Sequence, residues 1–120
     1  MSTEYFIEKI KQGIPVSFPD TMAVIAQHYD YLPTEFSNGL GEDCMINAPG
    51  TNEGSCKIFA FAKLNNLNQN QTLNLFGDYY RMDVLQDPGG TSHQNIRTFM
   101  KYGWEGIQFK SPPLTPKACP

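Results

Sequence analysis

Apolar residues along this chain recur mostly at spacings of three and four, with shorter alternating pieces between them. Ser2 or Thr3 can cap a first helix whose Phe6, Ile7 and Ile10 share one face, and Gly13 followed by Ile14-Pro15 ends it. A second helix opens near "SFPD", where Pro19 suits the first turn and Asp20 the positive end of the helix dipole. Its Met22, Ile25, Ala26 and Tyr29 recur at i, i+3, i+4 and i+7, and it stops before Leu32-Pro33. Between residues 33 and 51 the helical period disappears. Two extended pieces, around 34–37 and 44–47, lie about an Asn-Gly turn signal and predict a small irregular hairpin.

Residues 52–67 are apolar nearly all round, with Lys57 and Lys63 as polar exceptions, which predicts a central buried helix. Asn68 with Gln71 forms a capping-box pattern for a fourth helix carrying Leu73, Phe76 and Tyr80, with Gly77 placed for a close neighbour. "DPGG" at 87–90 breaks it. Thr91 with Gln94 repeats the box ahead of a fifth helix that turns Ile96, Phe99 and Met100 inward and ends at Gly103. "WEGIQFK" then alternates like a half-buried strand, and "SPPLTPKACP" reads as an extended proline-rich tail. The fold class expected is α+β: one compact domain over residues 1–111, about five helices with a small sheet or hairpin, followed by the tail at 112–120.

Composition narrows the picture. The 120 residues suit one core, and 40% hydrophobic residues with eight Phe and six Tyr suit a globular domain. A net charge of −3, without any Lys or Arg run, gives no footprint for nucleic acid or an anionic membrane, so neither partner is expected. The longest apolar stretches, 22–26 and 58–62, are far shorter than a membrane span, and the N-terminus has no secretory signal pattern, so a soluble chain outside the general secretory route is expected, its thiols suited to a reducing cytoplasm. Three cysteines without a CxxC pair argue against a disulfide framework and a closed zinc site; no metal and no cofactor are expected.

Five segments together carry a family resemblance: "QHYDYLPTEFSNG" (27–39), "NEGSCKIFAFA" (52–62), "LFGDYYR" (75–81), "HQNIRTFMKYGWEGIQF" (93–109) and "PPLTP" (112–116). The chain resembles the HopJ type III effector family over nearly its whole length. That resemblance implies a compact α+β domain made by bacteria, with delivery into a plant host cell through a type III secretion apparatus. It implies no established activity and no catalytic residues.

The residues themselves offer two kinds of site. Cys56 at the start of a helix would feel the positive dipole end, which lowers a thiol pKa, while His93 at another helix start could accept its proton, and Asn95 completes a Cys, His, Asn order. Opposed to that catalytic reading, a free Cys in so apolar a helix is ordinarily a small buried residue. Asn52 and Glu53 with Ser55 can bind a polar edge or merely cap the helix; His28 and Asp30 can pair at a helix end. Arg81, Arg97 and Trp104 can form an anion pocket or bridge helix termini. Two functions follow: a binding or interaction module for a host protein or a small polar or anionic ligand, and a small cysteine-dependent hydrolase or transferase using Cys56 and His93.

Overall fold

The computed structural model describes residues 2–117. Helix α1 (Thr3–Lys11) starts where the Ser2 hydroxyl accepts the Tyr5 amide, and α2 (Phe18–His28) where Ser17 accepts that of Asp20. Strand β1 (Tyr29–Tyr31) continues directly from α2. The expected hairpin forms from β2 (Phe36–Asn38) and β3 (Met45–Asn47), antiparallel with Phe36 opposite Asn47 and a single 3-10 turn (Gly41–Asp43) between them. Then come α3 (Glu53–Leu64), α4 (Gln69–Asn74), a π-helical turn (Tyr79–Val84) and α5 (Gln94–Tyr102). A 3-10 turn (Gly103–Gly106), β4 (Gln108–Phe109) and β5 (Leu114–Pro116) close the described chain. The helices and two small antiparallel sheets, β3-β2-β4 and β1-β5, make this an α+β fold.

Helix α3 is the axis of the core. A helix advances about 100° per residue, so residues two apart point to nearly opposite sides, and α3 uses this to bury aromatics in both directions. Phe59 meets Phe99 at 4.8 Å, Phe76 at 5.6 Å, Phe36 at 6.0 Å and Trp104 at 6.5 Å between ring centroids. Phe61 meets Tyr29 at 5.6 Å and Phe6 at 6.2 Å. Both phenylalanines are fully buried, as are Ile58 and Ala62. The helix ends in a Schellman turn with Asn66 at positive φ and the Leu67 amide on the Ala62 carbonyl.

Several elements depart from the pattern-based expectation. The capping box of Asn68 and Gln71 forms, but α4 is only six residues long. Its side chain Asn74 accepts the Val16 amide and donates to the Ile14 carbonyl, and the chain reverses at Gly77 with φ +63°. A Cβ on Gly77 would lie 2.5 Å from the Phe18 nitrogen, so the sharp turn exists to let α2 approach. Tyr80 therefore sits in the π-helical turn, where the Leu85 amide reaches back five residues to its carbonyl.

The second capping box does not form. His93 is the N-cap of α5, and Gln94 turns its amide to the Thr91 carbonyl. Ala26 and Met100, expected inward, are exposed, and Val24 takes the inward place on α2. The "WEGIQFK" strand shrinks to two residues because Gly106 packs against Gly39, with the Gly39 amide on the Gly106 carbonyl, and Trp104 donates to the Leu67 carbonyl. In the proline-rich segment, residues 114–116 pair with β1, and Leu114 enters the core.

The tip of the hairpin is fastened to the end of α5 by charge. Lys101 Nζ donates to Asp43 Oδ2 at 2.8 Å, and the Tyr102 hydroxyl donates to the same oxygen. These bonds, Lys101's foremost, hold the Asp43 carboxyl below its ordinary range and raise Lys101.

Two outcomes are expected. Phe59→Ala should cost about 3–5 kcal/mol in denaturant melts, because four ring partners lose their packing at once; a loss below about 1 kcal/mol would show α3 to be peripheral. A carboxylate with a depressed pKa stabilises the fold above its unfolded value and ceases to do so as pH falls through the folded one. The Asp43 tether should therefore persist down to about pH 4 and loosen below it. An NMR titration of the Asp43 carboxyl should place its midpoint below about 3.9 and return it toward that value in Lys101→Met.

Candidate functional site

The hairpin, α3 and α5 meet through four asparagine side chains. Asn47 and Asn95 exchange amides: Asn95 Nδ2 donates to Asn47 Oδ1 at 2.9 Å, and Asn47 Nδ2 donates back to Asn95 Oδ1 at 3.3 Å. Asn38 Nδ2 donates to the Asn95 carbonyl at 2.8 Å and to its Oδ1 at 3.0 Å, and Asn52 Nδ2 donates to Asn47 Oδ1 at 2.7 Å. Asn38, Asn47 and Asn95 are buried. Asn38 Oδ1 is a buried acceptor with no protein partner.

This network has a consequence for the two helices it joins. Ser2, Ser17 and Asn68 are extended N-caps whose side chains accept a first-turn amide. Asn52 and His93 are not: both are left-handed, with φ 50° and 52°, and neither side chain caps its helix. Asn and His tolerate this region better than most residues, yet it still carries a cost of roughly 1–3 kcal/mol each, and such residues gather at functional sites. Within α3 the first amide to find an intrahelical partner is that of Cys56, on the Asn52 carbonyl; within α5 it is that of Ile96, on the His93 carbonyl. The amides ahead of them have no intrahelical acceptor.

Both uncapped ends open onto one cleft of about 350 Å³. Gly54 and Ser55 line it from α3, Gln94, Asn95 and Ile96 from α5, and Phe18, Tyr79 and His93 from its sides. Gly54 lets the Phe18 ring lie close there: a Cβ would lie 2.9 Å from the tip of that ring and would push it aside. His93 Nε2 lies 3.0 Å from Asp83 Oδ2, and its ring rests 5.0 Å from that of Tyr79, which in turn meets Phe18 at 4.9 Å. Two positive helix ends, a serine, an imidazole and aromatic walls suit a small anion or a polar group carrying acceptors.

Of the residues singled out from sequence, Asn52, His93 and Asn95 come together here. Glu53 stands at the mouth of α3 but interacts with the Tyr31 hydroxyl. Cys56 is sealed, 1% exposed, with its thiol donating to the Thr34 carbonyl at 3.9 Å. Burial pushes that thiol up to about 11, against a hydrogen bond from Tyr31 and with the Glu53 charge adding to the rise. Its neighbours are Tyr31, Thr34 and Glu53, whereas those of His93 are Asp83 and Tyr79.

The remaining candidates stand apart. Arg81 donates to Asn74 Oδ1 at 2.9 Å and to the Val16 carbonyl at 2.6 Å, fastening the linker between α1 and α2. Arg97 donates to the carbonyls of Ser92 and Asp87, shaping the loop ahead of α5. Trp104 serves the core beside Phe59 and Phe99. His28 ends α2, its carbonyl accepting the Lys117 amide, and Asp30 is exposed in β1 opposite Thr115. The Arg81, Arg97 and Trp104 pocket is thus not assembled: the two arginines line different clefts. Among the described residues no group of three or more His, Cys, Asp or Glu could hold a metal ion, and no helix is long and apolar enough to cross a membrane.

Asn38 and Asn47 were not anticipated as site residues, although a signal existed. Strand alternation puts Asn38 on the same face as buried Phe36, and the hairpin register puts Asn47 opposite Phe36.

The two described cysteines should differ sharply. Cys44 is exposed and should react with iodoacetamide within minutes near neutral pH, while buried Cys56 should be modified only on unfolding. Mass mapping after a short pulse checks this; Cys119 lies outside the described residues.

Comparisons with known proteins bear on the whole chain. Among curated proteins none matches it. A solved structure described as the crystal structure of unknown function protein VPA0580 is similar to it at a TM-score of 0.92 and 46% identity, covering 98% of this chain and 95% of that one. The family model for the HopJ type III effector protein matches residues 3–114, from the first helix to the start of β5, and so includes the cleft and the asparagine network. The chain belongs to the HopJ type III effector protein family.

Proposed function

We propose that this HopJ-family protein is a bacterial binding module, delivered to a host cell, whose cleft between α3 and α5 takes a small anionic group. The observation that carries the reading is the pair of uncapped α-helix N-termini facing one opening, where the other three described α-helices have N-caps filled by their own side chains. Each helix end presents a partial positive charge and free amides, the arrangement that binds phosphate and carboxylate groups elsewhere. Family membership supports the effector role. The sealed Cys56 and the engagement of His93 by Asp83 favour binding over thiolate catalysis.

The test is a titration of the protein with inorganic phosphate, followed by amide chemical shifts. Saturable shifts should concentrate at residues 53–55 and 93–96. Ser55→Asp should fold, since a carboxylate in the first turn suits the dipole, but it should lose the response by occupying the same field. Shifts of equal size in Ser55→Asp, or shifts scattered over the surface, would sink the reading.

A further inference from the structure

A second cavity, unconnected with the anion cleft, lies between the last turn of α3 and the segment that leads into β5. Its volume is about 560 Å³, the larger of the two. Ala60 and Leu64 form one wall, Phe109 and the Pro112–Leu114 stretch the other, and Lys63 and Lys110 stand at the rim. The walls are firm: Ala60, Pro113 and Leu114 are buried, and the Leu32 amide holds the Pro113 carbonyl at 2.8 Å.

The cations of this rim are less firmly engaged than the arginines of the other clefts. Arg81 and Arg97 are engaged with backbone carbonyls, and Lys101 with Asp43. Lys63 has no carboxylate partner among the described residues; its ammonium lies 5.7 Å from the centre of the Phe109 ring, directly beside the groove. Lys110 has a loose, exposed pairing with Glu35 at 3.6 Å, the kind that contributes little and exchanges readily. A chain of net charge −3 therefore places two lysines, one of them unpaired with any carboxylate among the described residues, on the lip of a largely apolar cavity.

We propose that this groove binds a small amphiphilic carboxylate, with the apolar body against Leu64, Phe109 and Leu114 and the carboxylate between Lys63 and Lys110. The dimensions favour a small molecule over a partner helix. The volume lies in the range of about 300–1,000 Å³ usual for ligand sites. The α3 wall runs only from residue 60 to 64, about 6 Å along the axis, whereas a docked helix needs anchors at i and i+7, about 10 Å apart. A free carboxylate also answers the charge that an alcohol of the same body would leave unmet.

Decanoate, kept below its micellar concentration, is the probe, titrated into the full chain at low salt and followed by amide shifts. Saturable shifts should centre on residues 60–64 and 109–114, with binding about tenfold tighter than for decanol, the gain of one charge-assisted contact. Lys63→Gln with Lys110→Gln should bring decanoate down to the level of decanol. Leu64→Glu, a change at a half-exposed position whose folding is checked by an unchanged thermal melt, should abolish decanoate binding by setting a carboxylate in the groove. Equal binding of decanoate and decanol by the native chain would overturn the proposal, as would unchanged binding in Leu64→Glu. So would a response at these amides only to an acidic helical peptide, or only to raised protein concentration. The phosphate-sensitive amides at 53–55 should stay still throughout, which separates this result from that of the anion cleft.

Discussion

The reciprocal amide pair of Asn47 and Asn95 is the contact on which the rest of the site depends. A buried amide left unpaired costs about 1–3 kcal/mol, so once the hairpin presents Asn38 and Asn47 to the interior, the partner element must arrive in one register. Asn95 is that partner, and its place one residue inside α5 fixes where the helix begins. The same Asn47 oxygen accepts from Asn52 and fixes the entry to α3. An apolar contact of the same area would tolerate sliding; a network of directed amide bonds does not. Its effect is positional, because two helices are made to start side by side with their own N-cap side chains directed elsewhere.

The network can act so because α3 is immobilised from both sides. Phe59 engages α5, β2 and the turn after α4, while Phe61 engages α1 and β1. Neither set can shift without the other, and close-packed interiors transmit such constraint instead of absorbing it. Gly77 and Gly54 allow Phe18 and the start of α2 to close over the remaining side. The strain of the two left-handed caps is thus carried by packing well away from them.

Most elements were legible wherever the information was local. Ser17, Asn68 with Gln71, the Asn-Gly hairpin and the apolar run at 58–62 each dictate their own neighbourhood within a few residues, and each forms. The misread positions are those where a distant group outbid the local one. Thr91 and Gln94 have the letters of a capping box, but His93 is drawn to Asp83 and Tyr79 and takes the cap position itself. Asn74 looks like an interior helical residue, yet its side chain pairs with the 14–16 linker sixty positions away in sequence and ends the helix. The site was half legible for the same reason. Asn52, His93 and Asn95 stood in recognisable helix-start patterns, whereas Asn38 and Asn47 acquire meaning only when the hairpin register sets them facing α5.

Both binding surfaces inferred for the molecule draw on α3, one at residues 54–55 and the other at 60–64, roughly 10 Å apart along its axis. A helix packed through Phe59 and Phe61 on opposite sides does not readily bend or rotate to suit a ligand, so each surface is preformed, and little ordering entropy is spent at either on binding. Preformation also limits communication between them. Coupling needs an element with two alternative arrangements that both ligands bias, and the aromatic packing of Phe59 and Phe61 leaves α3 only one. The other groove wall, from Phe109 to Leu114, is held in turn by the Lys110 amide on the Glu35 carbonyl and the Leu32 amide on the Pro113 carbonyl. That wall lies away from the asparagine network, so the two surfaces act as independent sites on one rigid support.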